Sequence, residues 1–120
     1  MQSAAQAYGA IARKIASPRE LEADLLLQAA ARMQAVYDCW DDKRGDLDGA
    51  LLQNRKLWSI FLTSVTETDH PMPPAIRQNV ANLGVFVMNR TVSLLADPQR
   101  AELVTLININ RELAAGLLGR

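Results

Sequence analysis

Between positions 47 and 65 the apolar residues return at helical intervals. Leu47, Leu51, Asn54, Trp58, Phe61 and Val65 follow one another at spacings of four, three, four, three and four. On an α-helix these six share one narrow stripe, which Ala50, Leu57 and Leu62 widen. The pattern predicts an amphipathic helix over 47–66. One amide, Asn54, stands in the middle of its apolar stripe, where it is costly unless it finds partners. Arg55 lies at the stripe's edge, and Trp58 one turn further on.

The same rhythm predicts four more helices. In residues 2–15, Ala4, Tyr8, Ile11, Ala12 and Ile15 share a face, but a helix this short needs something to dock on. A second helix runs over 18–42, with Leu26, Ala29, Met33, Val36 and Trp40 as its core-facing seam. Its start is explicit: Ser17 caps, Pro18 suits the first helical position, and Glu20 closes a capping box. The charged stretch 41–48 reads as a solvated turn that also caps the 47–66 helix. The prolines at 71, 73 and 74 end that helix and open the next, over 74–96. Asp97 and Pro98 then stop one helix and start the last, over 98–118, whose face is Leu103, Leu106, Ile107, Asn110, Leu113, Ala114 and Leu117.

The 74–96 helix differs from the others. Ile76, Val80, Leu83, Val87 and Leu94 make one seam, and Ala81, Val85, Met88, Val92 and Leu95 make a second on another side. No charge lies between Arg77 and Arg90. A helix apolar nearly all round is either central in its own fold or covered by a partner. Central packing is the first expectation and a partner surface the second. Asn54-Arg55 and Asn110-Arg111 share a phase, each with Asn mid-stripe and Arg at the edge. That predicts a buried polar layer holding Asn54 and Asn110, which fixes helix register. A polar patch for a partner's backbone is the alternative.

Composition narrows the chemistry. Residues 1–120 fit one all-α domain, a bundle of about five helices, with 49% apolar residues to build a core. Thirteen basic and thirteen acidic residues balance, which removes the main driver of direct nucleic-acid binding. Cys39 is the single cysteine and reads as a buried thiol, and His70, the single histidine, as a loop residue. With those two far apart, no catalytic set, metal site or cofactor site is expected, and no small-molecule substrate. The acidic 38–48 stretch lacks the spacing of a calcium loop. Neither a signal peptide nor a membrane span is expected, and the lone cysteine fits a reducing cytoplasm.

A resemblance then emerges from Tyr8, Ser17-Pro18-Arg19-Glu20-Leu21-Glu22-Ala23 with Leu25-Leu26, Asn54-Arg55-Lys56-Leu57-Trp58, Met72-Pro73, and Ile109-Asn110-Arg111 with Leu117. Nearly the whole chain resembles the flagellar biosynthesis regulatory protein FlaF family, and the Asn-Arg-Lys-Leu-Trp block is its most specific part. Met72 departs from the leucine often found there. The resemblance implies a cytoplasmic factor needed for flagellin synthesis and secretion, binding flagellin as an export chaperone or regulator and acting with FlbT. Two other readings stand beside it: control of flagellin mRNA translation, directly or through FlbT, and a self-associating helical scaffold. A groove for an amphipathic flagellin segment is expected from Trp58 and Phe61 on the 47–66 helix with Val85, Met88 and Val92 on the next, and Arg55 at its rim.

Overall fold

The computed structural model describes residues 18–67 and 69–119. The helix expected over 2–15 and its link through Ser17 lie outside them. Among the described residues, four long helices make up an all-α fold: α1 (Pro18–Asp38), α3 (Leu47–Val65), α4 (Pro74–Ala96) and α5 (Arg100–Leu117). Between the first two lie a one-turn α2 (Trp40–Lys43) and a 3-10 turn (Arg44–Asp46).

The expected single helix over 18–42 therefore breaks at Cys39. Its backbone leaves the helical region (φ −120°, ψ 47°), and its carbonyl accepts from the Lys43 N–H at 2.7 Å to start the next turn. Beyond Asp38 only Trp40 has apolar surface to pack on the core, so nothing holds the charged residues in register. Cys39 is consequently an exposed thiol, not a buried one.

Asp46 occupies the cap position of α3 but makes no side-chain cap bond. Its carboxylate is taken by Arg32 of α1, whose Nη2 and Nε donate at 2.7 and 3.2 Å. Arg32 Nη1 also donates to Gln53 Oε1 at 2.7 Å. The turn thus staples α1 to α3 instead of capping.

Helix α3 buries its whole predicted stripe, Leu47, Leu51, Asn54, Trp58, Phe61 and Val65, together with Ala50. These residues join Leu26, Met33 and Val36 of α1, Val80, Val87 and Leu94 of α4, and Leu103, Leu106 and Ile107 of α5 in one core. At its end the Thr66 N–H still reaches Leu62 O at 3.2 Å before the chain turns. His70 is in that turn, where Nδ1 accepts from the Met72 N–H at 3.2 Å. Pro73 precedes α4 and Pro74 is its first residue, where a missing N–H costs nothing.

Helix α5 starts at Arg100, later than expected. Asp97 and Gln99 are extended, the Asp97 N–H closes α4 on Ser93 O at 2.9 Å, and Asp97 Oδ2 accepts from Gln99 Nε2 at 3.2 Å. Asp97 thereby ends α4 rather than capping α5. Arg100 Nε donates to Tyr37 O at 2.9 Å, and its guanidinium lies 4.5 Å over the Tyr37 ring. This lock joins the end of α1 to the start of α5 and makes the two antiparallel.

The central helix pair is α1 and α5; α4 packs chiefly on α3 and only lightly on α5. The expectation that α4 is central is thus overturned. Its buried face is Val80, Gly84, Val87, Thr91 and Leu94, so Ile76 and Leu83 of the predicted seam stay exposed. Close approach at Gly84 explains the pairing. A Cβ there would stand 2.7 Å from Leu62 Cγ and 2.8 Å from its Cδ1, so any side chain at this position has to push the Leu62 branch aside.

Candidate partner-binding surface

Two sets of residues carry the functional expectations, and the fold separates them. Trp58 is fully buried and Phe61 is 4% exposed. Their rings meet edge to face, 5.8 Å apart at 79°. Both therefore serve the core and offer no wall to an open groove. The reason is their phase: they lie in the middle of the α3 stripe, which α1, α4 and α5 close over. Arg55, one residue after buried Asn54, is exposed, but the groove whose rim it was expected to form is not there.

Asn54 and Asn110 are both fully buried, and they meet. Asn110 Nδ2 donates to Asn54 Oδ1 at 2.7 Å and to Leu26 O at 3.2 Å. Trp58 Nε1 donates to Asn110 Oδ1 at 2.9 Å. Three helices are thereby pinned around one amide. Asn54 Nδ2 alone in this cluster has no partner. Sequence periodicity placed both asparagines on buried stripes, but that Trp58 completes the layer follows only from the three-dimensional arrangement. Gly84 was missed as well, although an isolated glycine inside a helical pattern is a known sign of close packing.

On α4 the second seam is the open one. Val85 is 58% and Val92 59% exposed, seven residues apart on one side, with half-buried Met88 between them. Met88 packs its inner part against the core. Of the nine large apolar side chains exposed among the described residues, five are on α4: Ile76, Leu83, Val85, Phe86 and Val92. The exposed apolar surface is therefore concentrated on this one helix, where the Arg90 guanidinium lies 5.1 Å over the Phe86 ring and pairs with Glu102 at 2.8 Å. Among the described residues, no group of three or more His, Cys, Asp or Glu side chains is gathered to hold a metal, and no helix is long and apolar enough to cross a membrane.

Comparison with curated proteins and with solved structures returns no match. A family model described as "Flagellar protein FlaF" matches residues 4–117, which takes in every helix just described and both asparagines of the polar layer. The chain belongs to the FlaF family of flagellar proteins.

Proposed function

We propose that this protein binds flagellin on the outer face of α4 and acts as its regulator and export chaperone, in concert with FlbT. One observation carries the reading: Val85 and Val92 are more than half exposed on one side of a helix with Met88 between them. An apolar strip at helical spacing fits an amphipathic helix of a partner, and a flexible methionine at its centre adapts to the partner's side chains. The same reading takes the protein as a cytoplasmic, non-catalytic factor without a cofactor, and membership of a flagellar family supports flagellin as the client.

The test is co-purification with flagellin, full-length and lacking its terminal segments. Full-length flagellin is retained and the truncated form is not. Val85→Asp combined with Val92→Asp abolishes retention while helical circular dichroism is unchanged. Ile60→Asp on α3, at a residue 62% exposed, leaves it intact. Equal recovery of both flagellins, or equal loss with Ile60→Asp, overturns the reading.

A second reading rests on the same strip: it closes a dimer of two copies. Light scattering across concentration separates the two, since a monomer awaiting flagellin keeps a constant mass. Direct control of flagellin mRNA is disfavoured by the zero net charge, and a salt-dependent gel shift without any partner protein would restore it.

A further inference from the structure

The open seam of α4 does not end at Val85. Traced back toward the start of the helix, Val92, Met88, Val85, Ala81, Gln78 and Pro74 follow at spacings of four, three, four, three and four, so all six share one side. The last three line a pocket of about 320 Å³ together with Val65 and Thr66 at the end of α3. Among the described residues, Arg77 is the one charged residue in its wall. The Arg77 guanidinium is held on one side, where Nη1 donates to Glu67 O at 2.7 Å. Its Nε is buried and has no acceptor. No carboxylate among the described residues pairs with Arg77, whereas Arg90, at the other limit of the charge-free stretch, is paired with Glu102. Helix polarity adds to the positive charge: α4 starts here, and its first turn carries no acidic residue to offset the dipole.

We propose that this pocket takes a carboxylate side chain of the flagellin helix laid along α4, and that Arg77 thereby sets the register of the client. The inference rests on the flagellin reading of the Val85 and Val92 strip. The occupant is an amphipathic helix whose apolar side chains meet Val92, Met88 and Val85 and whose Asp or Glu meets Arg77. From Val92 to Arg77 the helix spans about 22 Å, so the acidic residue stands about fifteen residues from the client side chain that covers Val92. Charge complementarity selects this occupant. An apolar group over the pocket would strip water from Arg77 without a counter-charge, and a basic one would be repelled. A carboxylate neutralises the guanidinium and meets the positive end of the helix dipole. The buried Nε carries a desolvation cost as it stands. A turn of the guanidinium on its flexible stem toward an incoming carboxylate removes that cost and presents Nε and Nη2 as two parallel donors. The apolar strip gives affinity without direction, and the charged bond at one end fixes how the client lies.

Binding of monomeric flagellin to the full chain, followed by fluorescence anisotropy, provides the test. Arg77→Gln is expected to raise Kd roughly ten- to a hundredfold, the weight of a charged hydrogen-bonded contact, with helical circular dichroism unchanged. Arg77→Lys keeps the charge without the paired donors and is expected to recover part of the loss. Changing one acidic residue in the terminal segments of flagellin to its amide is expected to cost the same factor against the unmodified protein and nothing further against Arg77→Gln. An unchanged Kd for Arg77→Gln, alongside lost binding when Val85→Asp is combined with Val92→Asp, overturns this inference and leaves the strip reading standing. A loss with Arg77→Gln that no acid-to-amide change in flagellin reproduces overturns it as well, because Arg77 then acts through its bond to the turn after α3. Full binding by the combined Val85→Asp and Val92→Asp variant overturns the strip reading and this inference with it.

Discussion

Asn110 is the residue on which the interior depends most. It accepts from Trp58, donates to Asn54 and donates to a backbone carbonyl of α1, and its side chain is fully buried. Asn110→Ala strands the Trp58 N–H and the Asn54 carbonyl together, and we expect a loss of about 2 kcal/mol or more in urea unfolding. Asn54→Ala strands only one donor of Asn110, which keeps Leu26 O, and so costs less. Near-ultraviolet circular dichroism of Trp58 distinguishes the two, because only the first variant removes the indole's acceptor. For Leu51→Ala, at a fully buried side chain, we expect about 2–5 kcal/mol from the cavity. At the surface, the bonds from Arg32 hold the Asp46 carboxyl below its ordinary range. A carboxylate depressed in the folded state stabilises above its unfolded pKa, and that contribution is lost as pH falls through the folded value. The melting-temperature gap between the protein and Asp46→Asn therefore narrows below the ordinary aspartate range; a gap independent of pH refutes the coupling.

Single elements differ in how far the pattern of residues reveals them. The α3 stripe was legible because a one-sided helix of seven buried positions has only one way to face a core. The groove expected beside it was not, because periodicity gives the direction of a side chain and not what closes over it; Trp58 and Phe61 pointed inward into a filled space. The pairing of α4 with α3 was hidden too, since it turns on a glycine whose meaning depends on Leu62, far away in sequence. Gly84→Ala tests this. Alanine improves intrinsic helicity by about 1 kcal/mol, but the added methyl must displace the Leu62 branch, at about 1–3 kcal/mol. A net loss in urea unfolding, partly recovered by Leu62→Ala, is the expected result; a plain gain in stability means the crossing is looser than the structure has it. The break at Cys39 was equally unreadable, because no proline or glycine marks it.

For the whole molecule the important distinction is between a buried seam and an open one on the same helix. Both seams of α4 were visible as periodic patterns, and only the neighbours decided which one faced solvent. The Val80, Val87 and Leu94 side went to the core and the Val85 and Val92 side did not. Substitutions should divide in the same way: Val87→Asp unfolds the protein in a thermal melt, whereas Val85→Asp leaves the melting temperature within the small range usual for surface changes, about ±0.5 kcal/mol in stability.

The lock between Arg100 and Tyr37 spans 63 residues, and the one between Asn110 and Leu26 spans 84. By contrast, α3 and α4 are joined by the short 66–73 turn. Closing a long loop costs more entropy than closing a short one, so the α3–α4 hairpin is the part of the chain able to assemble first, with α1 and α5 clasping it afterwards. During synthesis the hairpin is complete before α5 has been made, and the face bearing Val85 and Val92 leaves the ribosome ahead of the contacts that finish the fold. In refolding experiments Gly84→Ala should therefore slow the folding limb, while Asn110→Ala acts mainly by speeding unfolding.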